Sequence, residues 1–282
     1  MTDAILHGLS AVAEHYDAVL CDVWGVVHNG VGAHHGAGEA LANFRGDGKT
    51  VLLMTNAPRP GDAVVEQLDR LGVRRDAYDG IVSSGDVVRA HLLDRGISSA
   101  YLIGPARDLP LLEGTRIRRT EAPHEADVIV VTDLRGEEET PDDYRDELAE
   151  LVALAKPFIC ANPDVVVERG QQLFYCGGAL AQAYEEAGGK AEQFGKPHAP
   201  IYDHARQRLG RHEAGPKVLA IGDGLPTDIT GANRHGLDVL FVTDGIHMHE
   251  LGVPGRPDLE KVAARLSAEG LSATHVMPKL AW

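Results

Sequence analysis

Ala18-Val19-Leu20-Cys21-Asp22-Val23-Trp24-Gly25-Val26-Val27-His28-Asn29-Gly30 is the stretch on which the fold turns. A short apolar run, broken by one acid and then by Gly25 and Gly30, reads as a buried strand that delivers a carboxylate to the loop at its C-terminal end. Open α/β sheets place their chemistry at that edge. Taken alone, Asp22 reads equally well as a residue capping a turn.

Outward from this strand the chain alternates. Leu6, Leu9, Val12 and Ala13 fall at helical spacing before it, and Gly38–Phe44 reads as a short helix ending at Gly46. A second strand, Thr50–Met54, runs into Thr55-Asn56-Ala57-Pro58. Val64, Leu68 and Leu71 then mark a helix stopped by Gly72, and Ile81–Ser83 is a third strand. This βαβαβ order implies a parallel sheet with right-handed crossovers. From about Val87 the pattern restarts. Tyr101–Ile103, Val128–Thr132 and Phe158–Cys160 read as strands, and Pro141–Ala155 as a helix begun by Thr140, with Asp143 three residues on. The first architecture resumes with a helix carrying Ile201, Ala205 and Leu209, a strand at Val218–Ile221, and a strand at Val239–Val242. Leu259, Val262, Ala263 and Leu266 make a last helix, followed by an irregular tail to Trp282. The expected fold is α/β: a doubly wound parallel-sheet, Rossmann-like core formed by 1–86 and 189–282, with a smaller α/β domain, 87–188, inserted.

Composition narrows the function classes. A chain of 282 residues, 44% hydrophobic, can bury two cores. A net charge of −15, with no basic run bearing interleaved aromatics, argues against nucleic acid as a partner. Cys21, Cys160 and Cys176 sit in apolar surroundings without a C-x-x-C pairing and read as reduced core thiols, which fits a cytoplasmic protein. No segment approaches a membrane span, so a soluble protein is expected. Homo-oligomerisation is left open.

Polar groups stand at four expected strand ends, in the order Asp22, Thr55-Asn56, Lys196 and Asp223/Asp228. Each has an ordinary reading as a cap, turn or exposed loop residue. Together they fall at C-terminal ends of parallel strands, which this fold brings to one edge. The set suits phosphoryl transfer to a carboxylate, which needs a nucleophile, a bridging cation and donors around the phosphoryl oxygens. Asp22 can be the nucleophile. Asp22 and Asp223 offer the oxygen ligands that Mg²⁺ prefers, and Asp228 is either a further ligand or a residue that orients the ion and Lys196. The Thr55 hydroxyl and the Asn56 backbone N–H can hold phosphoryl oxygens, and Lys196 supplies a fixed positive charge.

With these residues in order, the sequence resembles the haloacid dehalogenase superfamily, specifically its class IIA phosphatases, 4-nitrophenylphosphatase-like and nucleotide-phosphatase-like enzymes included. The resemblance rests on Asp22-Val23-Trp24-Gly25-Val26, Leu53-Met54-Thr55-Asn56, Gly195-Lys196-Pro197, and Gly222-Asp223 through Thr227-Asp228, and it covers nearly the whole chain. It implies that the insertion is a C2-type cap which selects the substrate, and that Asn162-Pro163-Asp164 is the cap's Asn-Pro-Asp. That tripeptide also reads as an ordinary turn after a strand. The family's first motif usually continues Asp-x-Asp, the second Asp serving as general acid and base. Here that position is Trp24, whose indole has no acid–base capacity near neutral pH, although its backbone carbonyl can still face a metal. His28 is a substitute acid or an ordinary loop histidine. His34-His35 and His247-x-His249 read as loop histidines. The expected activity is Mg²⁺-dependent hydrolysis of a small phosphorylated metabolite, a phosphoric monoester, through an aspartyl-phosphate on Asp22. The alternative is a catalytically weak or silent phosphate- or nucleotide-binding module.

Overall fold

In the computed structural model, which describes residues 5–169, 172–210 and 215–282, the chain divides into two compact units. Strands β1 (Ala18–Asp22), β2 (Thr50–Thr55), β3 (Gly80–Ser83), β4 (Ser99–Ile103) and β5 (Arg118–Thr120) come first. They are followed by β6 (Val128–Val131), β7 (Phe158–Cys160), β8 (Val166–Arg169), β9 (Gln172–Tyr175) and β10 (Ala191–Gln193). The last are β11 (Val218–Gly222), β12 (Asp238–Val242), β13 (Gly252–Val253), β14 (Arg256–Pro257) and β15 (His275–Met277).

The first unit comprises Met1–Thr55, Val65–Val82 and Tyr202–Trp282. Its six strands lie in the order β15-β12-β11-β1-β2-β3. β1 is buried along its whole length, as a central strand covered on both faces must be. It runs parallel to β2, with Asp22 opposite Met54, and parallel to β11, with Cys21 opposite Ile221. From β1 the chain winds outward through β2 to β3, then crosses to β11 and winds the other way through β12 to β15. The boundary between β1 and β11 is therefore the topological switch point of a doubly wound, Rossmann-like sheet.

Two expectations change here. The tail is not irregular throughout, because His275–Met277 pairs in parallel with β12 as an edge strand. The spacing of Leu6 to Ala13 yields only two 3₁₀ turns, Leu9–Ala11 and Ala13–His15. Leu6 N–H donates to Val276 O at 2.8 Å and Leu9 N–H to Ala281 O at 2.7 Å, so long-range partners take the bonds a helix would have used.

The second unit comprises Asn56–Val64 and Ser83–Ile201. Its five strands, in the order β10-β7-β6-β4-β5, are all parallel. Ile103, Ile129, Leu148, Leu151 and Phe158 form its core, and Phe158 stacks on Tyr184 with ring centroids 3.8 Å apart. The helix expected at Pro141–Ala155 divides into a 3₁₀ turn, Pro141–Tyr144, and an α-helix, Arg145–Leu154. Its start is fixed as the sequence indicates, since the Asp143 carboxylate accepts from the Thr140 N–H at 2.8 Å. Among the described residues no helix is long and apolar enough to cross a membrane.

Candidate active site

The switch point of the first unit carries three aspartates. Asp22 ends β1, Asp223 follows β11, and Asp228 lies one turn later. Each is buried, and one carboxylate oxygen from each lies within 4.8 Å of the others. Asp223 Oδ2 accepts from the Ile246 N–H at 2.8 Å. The backbone closes tightly around this side chain. A Cβ on Gly25 would lie 2.2 Å from Asp223 Oδ2 and one on Gly245 1.9 Å from it, and Gly25 also holds a left-handed φ of 87°.

Asp228 is delivered by a π turn, Leu225–Ile229, in which the Ile229 N–H donates to Gly224 O at 3.1 Å. The extra residue in such a turn re-aims its side chains, and here Asp228 Oδ2 accepts from the Gly224 N–H at 3.1 Å. His247 Nε2 accepts from the Leu225 N–H at 3.3 Å, and burial lowers the His247 pKa, so the neutral ring props the turn. Three buried carboxylates this close repel one another unless a cation joins them. An all-oxygen set of this kind fits a divalent metal ion. Among the described residues it is the one such grouping of acids, histidines and cysteines, and neither His34-His35 nor His247-x-His249 forms another.

The loop after β1 is closed by its own backbone. Val27 and His28 N–H groups donate to Val23 O at 2.9 and 3.1 Å, and the Gly25 N–H donates to His28 O at 2.8 Å. His28 is buried, its ring edge-on to Trp24 with centroids 4.9 Å apart. The Gly30 N–H donates to His28 Nδ1 at 3.0 Å, which places the lone pair there and the imidazole proton on Nε2. Acting as a general acid would require protons on both nitrogens and the loss of that bond.

The second unit holds Asn56, Asp164 and Lys196 together. Asn56 Oδ1 accepts from the Lys196 N–H at 2.6 Å, while Asn56 Nδ2 donates to Lys196 O at 3.1 Å and to Asp164 Oδ1 at 2.8 Å. Asn162 Oδ1 accepts from the Asp164 N–H at 3.3 Å. A Cβ on Gly195 would lie 2.4 Å from Asn56 Oδ1, so only glycine admits this approach. The Asn56 side chain thus clamps the Gly195-Lys196-Pro197 segment and is itself held by Asp164. Sequence reasoning gave Asn56 only a backbone role and missed the clamp; the Asn-Pro-Asp tripeptide was its one visible signal. Thr55 closes β2 and is buried.

Residues 19–118 match a haloacid dehalogenase-like hydrolase family model, and residues 193–268 match a HAD-hydrolase-like one. A hydrolase of the haloacid dehalogenase-like family from Brucella suis 1330, known from its crystal structure, superposes with a TM-score of 0.84 at 40% identity, covering 98% of this chain and 100% of that one. The chain is 27% identical over 231 residues to the ribonucleotide monophosphatase NagD of Escherichia coli (strain K12), covering 81% of this chain and 88% of that protein. It is 28% identical over 246 residues to the D-glycerol 3-phosphate phosphatase of Mycobacterium tuberculosis, covering 85% and 66%. With its switch-point aspartates and two parallel sheets, this chain belongs to the haloacid dehalogenase-like hydrolases.

Proposed function

We propose that the chain is a Mg²⁺-dependent phosphatase acting on a small phosphorylated metabolite through an aspartyl-phosphate on Asp22. The observation that carries this reading is the convergence of Asp22, Asp223 and Asp228 at one switch point. When bound there, Mg²⁺ would offset the charge of a phosphoryl group, with Asp22, Asp223, Asp228 and the Trp24 carbonyl as protein ligands. Asp22 attacks phosphorus and displaces the alcohol, and water then breaks the acyl phosphate. The Thr55 hydroxyl and Asn56 N–H hold phosphoryl oxygens, and Lys196 opposes their charge. In this reading 87–188 is the substrate-selecting cap, with Asn162 and Asp164 acting through Asn56 and Lys196. Two relatives whose names give phosphate esters as substrates support the reaction class.

With 4-nitrophenyl phosphate and Mg²⁺, Asp22→Asn should lower turnover by about 10³-fold or more. Turnover within tenfold of the native chain would remove Asp22 from the role of nucleophile. The loop beside Asp22 offers no carboxylate, which favours a second reading as a phosphate-binding module; saturable binding of phosphate with Mg²⁺ and no turnover would select it.

A further inference from the structure

The aspartate trio stands at the C-terminal edge of the first unit's sheet, and a different group of side chains closes the opposite edge. Tyr16 precedes β1, Asp238 opens β12 and His275 opens β15. These strands run parallel in one sheet, so all three residues fall at its N-terminal edge. Tyr16 is buried. Its hydroxyl donates to Asp238 Oδ2 at 2.9 Å and lies 3.1 Å from His275 Nε2.

Proton counting fixes the state of the ring. An ionised carboxylate only accepts, so the single Tyr16 hydroxyl proton goes to Asp238, and the hydroxyl oxygen accepts from His275 Nε2–H. The imidazole proton is then on Nε2, and Nδ1 carries a bare lone pair. That nitrogen is closed to solvent and, among the described residues, has no hydrogen-bond partner. A second proton there would be a donor and a charge buried without an acceptor. The surroundings agree. Burial is the largest influence on His275 and lowers its pKa; Asp238 on β12 opposes this, and His15 beside β1 and Lys217 ahead of β11 reinforce it. Burial and Asp238 hold the Tyr16 hydroxyl well above its ordinary range, so it remains a donor.

What the ring holds is the edge of the sheet. β15 is the outermost strand, and the chain ahead of β1 joins it through a bridge from Ile5 to Val276 and through the Leu6 N–H, which donates to Val276 O at 2.8 Å. At the far end of β15, the Thr243 and Asp244 N–H groups donate to Met277 O and Pro278 O at 3.0 and 2.8 Å. Those two residues lead into Ile246, whose N–H holds Asp223. A loosened β15 therefore frees the segment that supports Asp223.

We propose that Asp238, Tyr16 and His275 form an acid-released latch on β15: the neutral imidazole fixes the strand to the sheet, and a proton on Nδ1 drives the ring toward water and frees it. The latch does not rest on the phosphatase reading. Above the ordinary histidine range neither the closed nor the opened form takes the proton. As pH falls through that range the opened form binds it first, so opening becomes easier. Amide hydrogen exchange at pH 8 and pH 5, corrected for the intrinsic rate, tests this. In the native chain the protection of Leu6, Thr243 and Asp244, whose N–H groups bond to Val276, Met277 and Pro278, should fall by about fivefold or more at pH 5. In His275→Gln, whose side-chain amide donates to Tyr16 from the Nε2 position without titrating, protection should be nearly equal at the two pH values. Tyr16→Phe leaves the ring without its partner and should lower protection already at pH 8, which decides the matter if the first variant does not fold. Unchanged protection in the native chain, an equal fall in His275→Gln, or native protection in Tyr16→Phe at pH 8 would each overturn the proposal.

Discussion

At the scale of single residues, Asp133 shows what a buried carboxyl costs. Burial pushes its pKa up to about 6, with Asp108 adding to the rise and Arg107 opposing it. The ionised form is therefore the penalised one. Below about pH 4 folded and unfolded chains both hold the proton and there is no penalty; as pH rises through 6 the penalty becomes complete. A shift of this size corresponds to at most about 3 kcal/mol. Asp133→Asn should therefore raise the Tm near pH 8 and leave it little changed near pH 4. Thermal melts at the two pH values check this, and a Tm lowered at pH 8 would show that the Arg107 pair outweighs burial. Nothing in Val131-Thr132-Asp133 announces such a role, because an Asp after a strand is the commonest of turn residues.

At the scale of elements, the loop after β1 and the π turn after β11 divide the work. The π turn aims Asp228, and His247 holds it from outside. The β1 loop supplies Trp24, which carries no transferable proton, and His28, whose Nδ1 is occupied by the Gly30 N–H. Without a general acid, about 10²–10⁴ in rate is lost for leaving groups that need protonation. Rates across aryl and alkyl phosphates should accordingly fall steeply as the leaving-group pKa rises. A flat plot, with chemistry shown to limit the rate, would mean that another residue donates the proton. The legibility of elements follows the same logic. β1, β2 and β6 are buried apolar runs and stand out in the sequence, whereas β5 reads Arg-Arg-Thr and β10 reads Ala-Glu-Gln. Such short polar edge strands are created by the neighbour they pair with, so neither periodicity nor β-propensity reveals them.

At the scale of the whole molecule, the aspartate trio links metal binding to stability. A ligand that binds only the folded chain stabilises it by about 2.7 kcal/mol at a hundredfold excess over Kd. Mg²⁺ should therefore raise the Tm by several degrees, and Asp228→Asn should remove most of that shift. Differential scanning calorimetry with and without Mg²⁺ tests this; an undiminished shift in the variant would place the ion elsewhere. The sequence alone determined the alternation of strands and helices, the parallel sheet of the core and the order of the polar strand ends, because burial periodicity and turn chemistry are local. The tertiary structure decided the rest. Asp22 meets Asp223 because β1 and β11 pair at the switch point, Asn56 clamps Lys196, and Asp108 comes near enough to Asp133 to raise its pKa. These contacts join positions far apart in the chain, and backbone pairing between strands, not the residues' own preferences, sets which positions meet.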